Sequence, residues 1–76
     1  MRTLWELWDY ESENLAQTFE NEDTALAWLN DSIHEYGAVA TDGFGLVRVN
    51  PDGTGGLVAE DAALADLALR VRAGAA

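Results

Sequence analysis

Three carboxylates at alternate positions, Asp9, Glu11 and Glu13, are the first group in the chain with the chemistry to hold a cation. Hard cations such as Ca²⁺ are bound by oxygen sets of this kind. The spacing matches no calcium loop, and the segment lacks the glycine of a tight coordination turn, so it reads as a solvated turn and no metal is expected. Asp52-Gly-Thr-Gly-Gly56 has the glycines of a phosphate-binding loop. No lysine follows it, and the preceding Asn50-Pro51 accounts for the glycines as a hairpin turn. His34 is the one histidine, and Ser12 and Ser32 are available as hydroxyls. Nothing in the spacing brings them into a triad. His34 falls near a helix C-terminus, where positive charge is favoured. With fourteen acids in the chain, paired carboxylates mean nothing without geometry. A chain of this size also has little room for an enzyme's concave pocket. The expectation is a protein without catalytic residues and without a cofactor.

The elements that hold these residues follow from hydrophobic spacing. Thr3–Asp9 alternates, with Leu4, Glu6 and Trp8 on one side and Trp5, Leu7 and Asp9 on the other, which suits a strand. Glu11-Ser12-Glu13-Asn14 is a turn, with Asn14 suited to a left-handed conformation, and Leu15–Phe19 returns as the second strand of a hairpin. Asn21 is placed to cap a helix running to about Tyr36. Its first turn carries Glu22 and Asp23, and its apolar stripe is Leu26, Leu29, Ile33 and Tyr36, with Trp28 at the edge. Gly37 ends it. A second extended region spans Val39–Val49, with Phe44, Leu46 and Arg48 on one face and Val47 and Val49 on the other. Asn50-Pro51-Asp52-Gly53 is a turn. A short strand over Thr54–Ala59 and a second helix follow. That helix is capped by Glu60 or Asp61, is apolar at Leu64, Leu67, Ala68 and Val71, and carries Arg70 and Arg72 in its last turn, with Ala73–Ala76 fraying. The order is ββαββα. It predicts an α+β fold, one antiparallel sheet with two helices packed on one face, as a single small domain over residues 1–76.

Composition narrows the partners. There is no cysteine, which excludes disulfides, thiolate metal sites and catalytic thiols. No apolar run approaches the roughly 20 residues that span a bilayer, and the N-terminus lacks the apolar stretch of a signal peptide. A cytoplasmic protein is expected, and the alanine-rich, lysine-free composition suggests a GC-rich bacterial origin. The net charge is −10, with nine acids and one arginine in residues 1–36 against five acids and three arginines in residues 37–76. Such a field repels nucleic-acid phosphates and anionic membranes and attracts basic partners.

The first hairpin poses the sharpest question. An antiparallel sheet covered on one side should read polar on the other. Here Leu4, Trp8, Leu15 and Phe19 suit one face while Trp5 and Leu7 suit the other, and two short helices can shelter only one. The expectation is that Trp5, Leu7, Trp28, Val47 and Val49 form a partner-binding surface. A homodimer through the sheet face or an edge strand is the simplest occupant, so a small interaction module that self-associates is the leading reading. The alternative is an acidic, antitoxin-like antagonist that covers a partner's basic, nucleic-acid-binding surface.

The stretches Leu7-Trp8-Asp9-Tyr10-Glu11-Ser12-Glu13-Asn14-Leu15, Thr18–Leu26 and Val58-Ala59-Glu60-Asp61 resemble a group of short, uncharacterised bacterial proteins. These open with a "WD-x-ES-x-N" hairpin, continue to "TFDTE-x-EAL" and carry "VAEG" at a second helix start. The chain departs from the group at Glu13, where glycine is frequent, and at Asn21, where aspartate is. The resemblance implies no activity and no functional residues.

Overall fold

The computed structural model describes the backbone of residues 2–75 and the side chains of residues 2–70. Four strands form one sheet: β1 (Leu4–Asp9), β2 (Asn14–Phe19), β3 (Phe44–Val49) and β4 (Gly55–Glu60). Their spatial order is β2-β1-β3-β4, with every neighbouring pair antiparallel. Helices α1 (Glu22–Tyr36) and α2 (Asp61–Ala75) follow the two hairpins and pack on the same sheet face. The slab is 16 Å thick against 34 and 31 Å in its other dimensions, which is two layers. No helix among the described residues is long and apolar enough to cross a membrane.

Local chemistry sets the boundaries. The Asn21 side chain accepts the Thr24 N–H at 2.7 Å and caps α1, with Glu22 and Asp23 in the first turn as the helix dipole favours. The Gly37 N–H closes the helix on the Ile33 carbonyl at 2.7 Å. The β3–β4 turn is held by the Gly53 N–H on the Asn50 carbonyl and by Asp52, whose carboxylate accepts both the N–H and the hydroxyl of Thr54. These bonds lower the Asp52 pKa, the Thr54 hydroxyl contributing most. Gly55 enters β4 at φ +144, and any Cβ there would collide with the Arg48 carbonyl.

The core contains Leu7, Phe19, Leu26, Leu29, Ile33, Leu46 and Leu64, closed by Ala25, Ala65 and Ala68. The small residues let the helices approach closely enough for the buried Asn30 amide to donate to the Ala68 carbonyl at 3.3 Å. Leu7 and Leu46, both fully buried, face each other across β1 and β3. Leu46 follows Leu7 by 39 residues, and α2 begins 39 residues after α1, at Asp61 and Glu22. The two hairpin–helix halves therefore meet about a local two-fold through this leucine pair. The bulges obey it too, one between Leu7 and Trp8 and the other between Leu46 and Val47. In each case the extra residue lies on the outer strand: Ala16 in β2 and Val58 in β4.

Three expectations need correction. Residues 39–43 are not strand: Ala38–Thr41 is a 3-10 turn and β3 starts at Phe44. Buried Thr41 explains this, since its hydroxyl donates to the Asp61 carbonyl at 2.9 Å and pulls the segment onto the start of α2. Tyr36, placed on the core stripe of α1, is 67% exposed, because it sits in the last residue of the helix, past the core. The left-handed residue of the first turn is Glu13, at φ +58, rather than Asn14, which pairs with Asp9 in the sheet. The contribution of Val71 to the α2 stripe, the last-turn position of Arg72 and fraying over 73–76 lie outside the described side chains.

Two substitutions test this account. Glu13→Gly relieves the left-handed strain and is expected to stabilise the fold by about 0.5–1 kcal/mol in urea unfolding. Thr41→Val keeps the shape but removes the hydroxyl that bonds the Asp61 carbonyl, with an expected loss of about 0.5–1.5 kcal/mol in the same measurement.

Candidate interaction surfaces

Register decides which face each residue takes. Leu7 pairs with Gln17 on one side and Leu46 on the other, and all three lie on the helix-covered face. Trp5 shares that face and packs against the core. Leu7 is therefore a core residue at 0% exposure and Trp5 is partly buried against the core, so neither lies on the uncovered sheet face. The reason is the bulge at Ala16. It puts Leu15 beside Trp8 on the open face while Phe19, four residues later, pairs with Trp5 beneath α1. Without it, Leu15 and Phe19 would share a face.

The open face holds Leu4 and Trp8 of β1, Leu15 of β2, Val47 and Val49 of β3 and Leu57 of β4. Val47 and Val49 lie opposite the helices, half-buried by their neighbours, and so on the other face from Trp5 and Leu7, with which the sequence grouped them. Leu57 is 53% exposed. Polar groups on this face are tied down: the Trp8 indole N–H donates to Glu6 at 3.1 Å, and the Tyr10 hydroxyl donates to Glu60 at 2.7 Å. Tyr10 lies across β3 over Gly45, where a side chain would collide with its hydroxyl. Leu4, Trp8, Leu15 and Leu57 were missed as surface residues. The polar partners Glu6 and Thr18, which alternate with apolar neighbours, were the signal on offer, but both faces of β1 read equally apolar.

A second apolar surface lies on the helix side. A groove of about 370 Å³ opens between α1, the 3-10 turn and the sheet. Its walls are Trp28, Ser32 and Tyr36 of α1 with Val39 and Ala40, and Leu7, Leu29 and Phe44 form the floor. Trp28 packs its ring on Phe19 at 5.8 Å and remains 42% exposed, and Val39 is 66% exposed. Trp28, grouped with Trp5 and Leu7 by sequence, therefore belongs to a different surface from Val47 and Val49. The Ser32 hydroxyl is spent on the Trp28 carbonyl at 3.1 Å.

The remaining candidates for chemistry are dispersed. The His34 ring bonds the Asn30 carbonyl at 2.9 Å, within its own helix. Asp9 accepts the Glu11 N–H at 3.1 Å as a turn residue. Among the described residues no three histidine or acidic side chains converge as metal ligands. Among the described residues the arrangement is a two-layer α+β domain with an uncovered sheet face and a lateral apolar groove. Comparison with known proteins adds no relative: no family model matches the chain, and no curated protein or solved structure is significantly similar to it.

The Tyr10 phenol reports on the open face. Its hydrogen bond to Glu60, with partial burial and the charges of Glu60 and Asp61, pushes its pKa from 10.0 up to about 12. The neutral phenol is the bonded form. The stability it adds is therefore complete below about pH 10 and is lost as pH rises through about 12. Absorbance titration of tyrosinate is expected to show a phenol still neutral near pH 11 that Tyr10→Phe removes and Glu60→Ala returns toward its ordinary range.

Proposed function

We propose that this is a small, acidic, non-catalytic interaction module that self-associates through the open face of its sheet. The observation that supports it is the run of apolar side chains from Leu15 through Trp8 and Val47 to Leu57, on a face that no element among the described residues covers. Four strands of six residues present roughly 19 by 20 Å, about 400 Å² per copy, which is less than a standard specific interface and matches a weak, transient pairing. Dimerisation is expected in the high micromolar range. Each copy carries a charge of −10, so the copies repel one another and added salt strengthens the pair. A second reading, an acidic cover for a partner's basic, nucleic-acid-binding surface, is favoured by the same charge and predicts the opposite salt dependence for its own complex.

Sedimentation or light scattering across micromolar concentrations is expected to show a monomer–dimer equilibrium that shifts to dimer at about 0.5 M salt. Trp8→Ala and Leu57→Asp weaken it at least about tenfold while leaving far-UV circular dichroism unchanged. A native chain that stays monomeric throughout overturns the reading.

A further inference from the structure

The groove beside α1 is separate from the open sheet face, and its surroundings say what it accepts. Two of its lining residues carry a polar side-chain group: the Ser32 hydroxyl donates to the helix backbone, and the phenol of exposed Tyr36 lies toward solvent. What it offers is apolar wall and floor, with exposed Trp28, Tyr36 and Val39 at the mouth. The charged residues that adjoin its lining in the chain and in the sheet register are acidic. Glu35 precedes Tyr36, Asp42 follows the 3-10 turn, and Asp9 stands opposite Phe44 in the sheet. Neither α1, the 3-10 turn nor β1 contains an arginine or lysine. Arg48, the one cation of β3, lies four residues from Phe44 and pairs with Trp5 toward the far end of the sheet.

We propose that this groove captures one large apolar side chain, aromatic or leucine-like, from a basic segment of a partner protein. The apolar anchor fills the space between Trp28, Val39 and Phe44, and flanking arginine or lysine residues face the acids of the rim. Carboxylates in a field of this sign raise the encounter rate with a basic segment, and desolvation of the anchor supplies the specificity. The proposal does not rest on self-association through the sheet.

The test is an array of nonapeptides with a central Phe, Trp, Leu or Ala between arginines, and the same set flanked by glutamates. Binding is read by the indole N–H resonance of Trp28 and by fluorescence titration at low and high salt. The expected result is selective binding of the arginine-flanked Phe, Trp or Leu peptides, at least about tenfold stronger than the Ala peptide and weakened by salt. Val39→Arg, a change at an exposed position, abolishes it, while Leu57→Asp on the opposite face does not. No binding by any peptide, equal binding of the Ala peptide, or indifference to Val39→Arg overturns the proposal. Sedimentation of the same Val39→Arg protein separates the two surfaces, because its dimerisation is expected to be unchanged.

Discussion

Strand β1 meets β3 in the middle of the sheet, and there Leu7 faces Leu46 beneath the helices. Each hairpin forms locally, but neither buries a core alone. This long-range pairing brings the two halves together, sets α1 beside α2 and closes the apolar layer over Leu29 and Leu64. A chain of 76 residues without disulfides hides only about 60–65% of its unfolded surface. Its stability therefore depends on how completely this one junction excludes water, and the two leucines at its centre are both fully buried.

The two-fold relation explains why the helices share one side. Each hairpin sends its second strand outward and its helix back across the same face, so repeating the unit about the Leu7–Leu46 pair places both helices together. The same operation leaves the opposite side of all four strands bare. Because β1 and β3 are central, their outward residues Trp8, opposite Gly45, and Val47, opposite Glu6, lie on a diagonal across the middle of that bare side. The uncovered face and the core are two results of one pairing. The groove arises differently: α1 ends at Tyr36, and the 3-10 turn then carries Val39 and Ala40 alongside it, leaving the space over Phe44 open.

Element order, the Asn21 cap, the Asn50–Gly53 turn and the stripe residues Leu26, Leu29, Ile33, Leu64 and Ala68 were legible because each depends on a few neighbouring residues. That Val47 and Val49 share one face and Leu46 and Arg48 the other was legible from their uninterrupted alternation. The first hairpin was not legible in the same way. Trp5 with Leu7, and Leu4 with Trp8, are equally good core candidates, and the choice is made by an extra residue at Ala16 that no composition rule marks. Residues 39–41 were read as strand because Val and Thr favour it. The hydroxyl of Thr41 finds its partner 20 residues later, at Asp61, and that tertiary bond overrides the local preference. Tyr36 looked like core by periodicity alone, since helical spacing does not report where the sheet beneath stops.

The bulges at Ala16 and Val58 fall in the two outermost strands. Strand-by-strand accretion, the elementary step of amyloid growth, needs an uninterrupted row of outward N–H and C=O groups to copy. Both margins of this sheet break that row near its midpoint. An aromatic-rich, half-naked sheet would ordinarily be a template for fibres. Here lateral propagation is blocked on either flank, so crowding can drive contacts only through broad surfaces, which saturate once occupied.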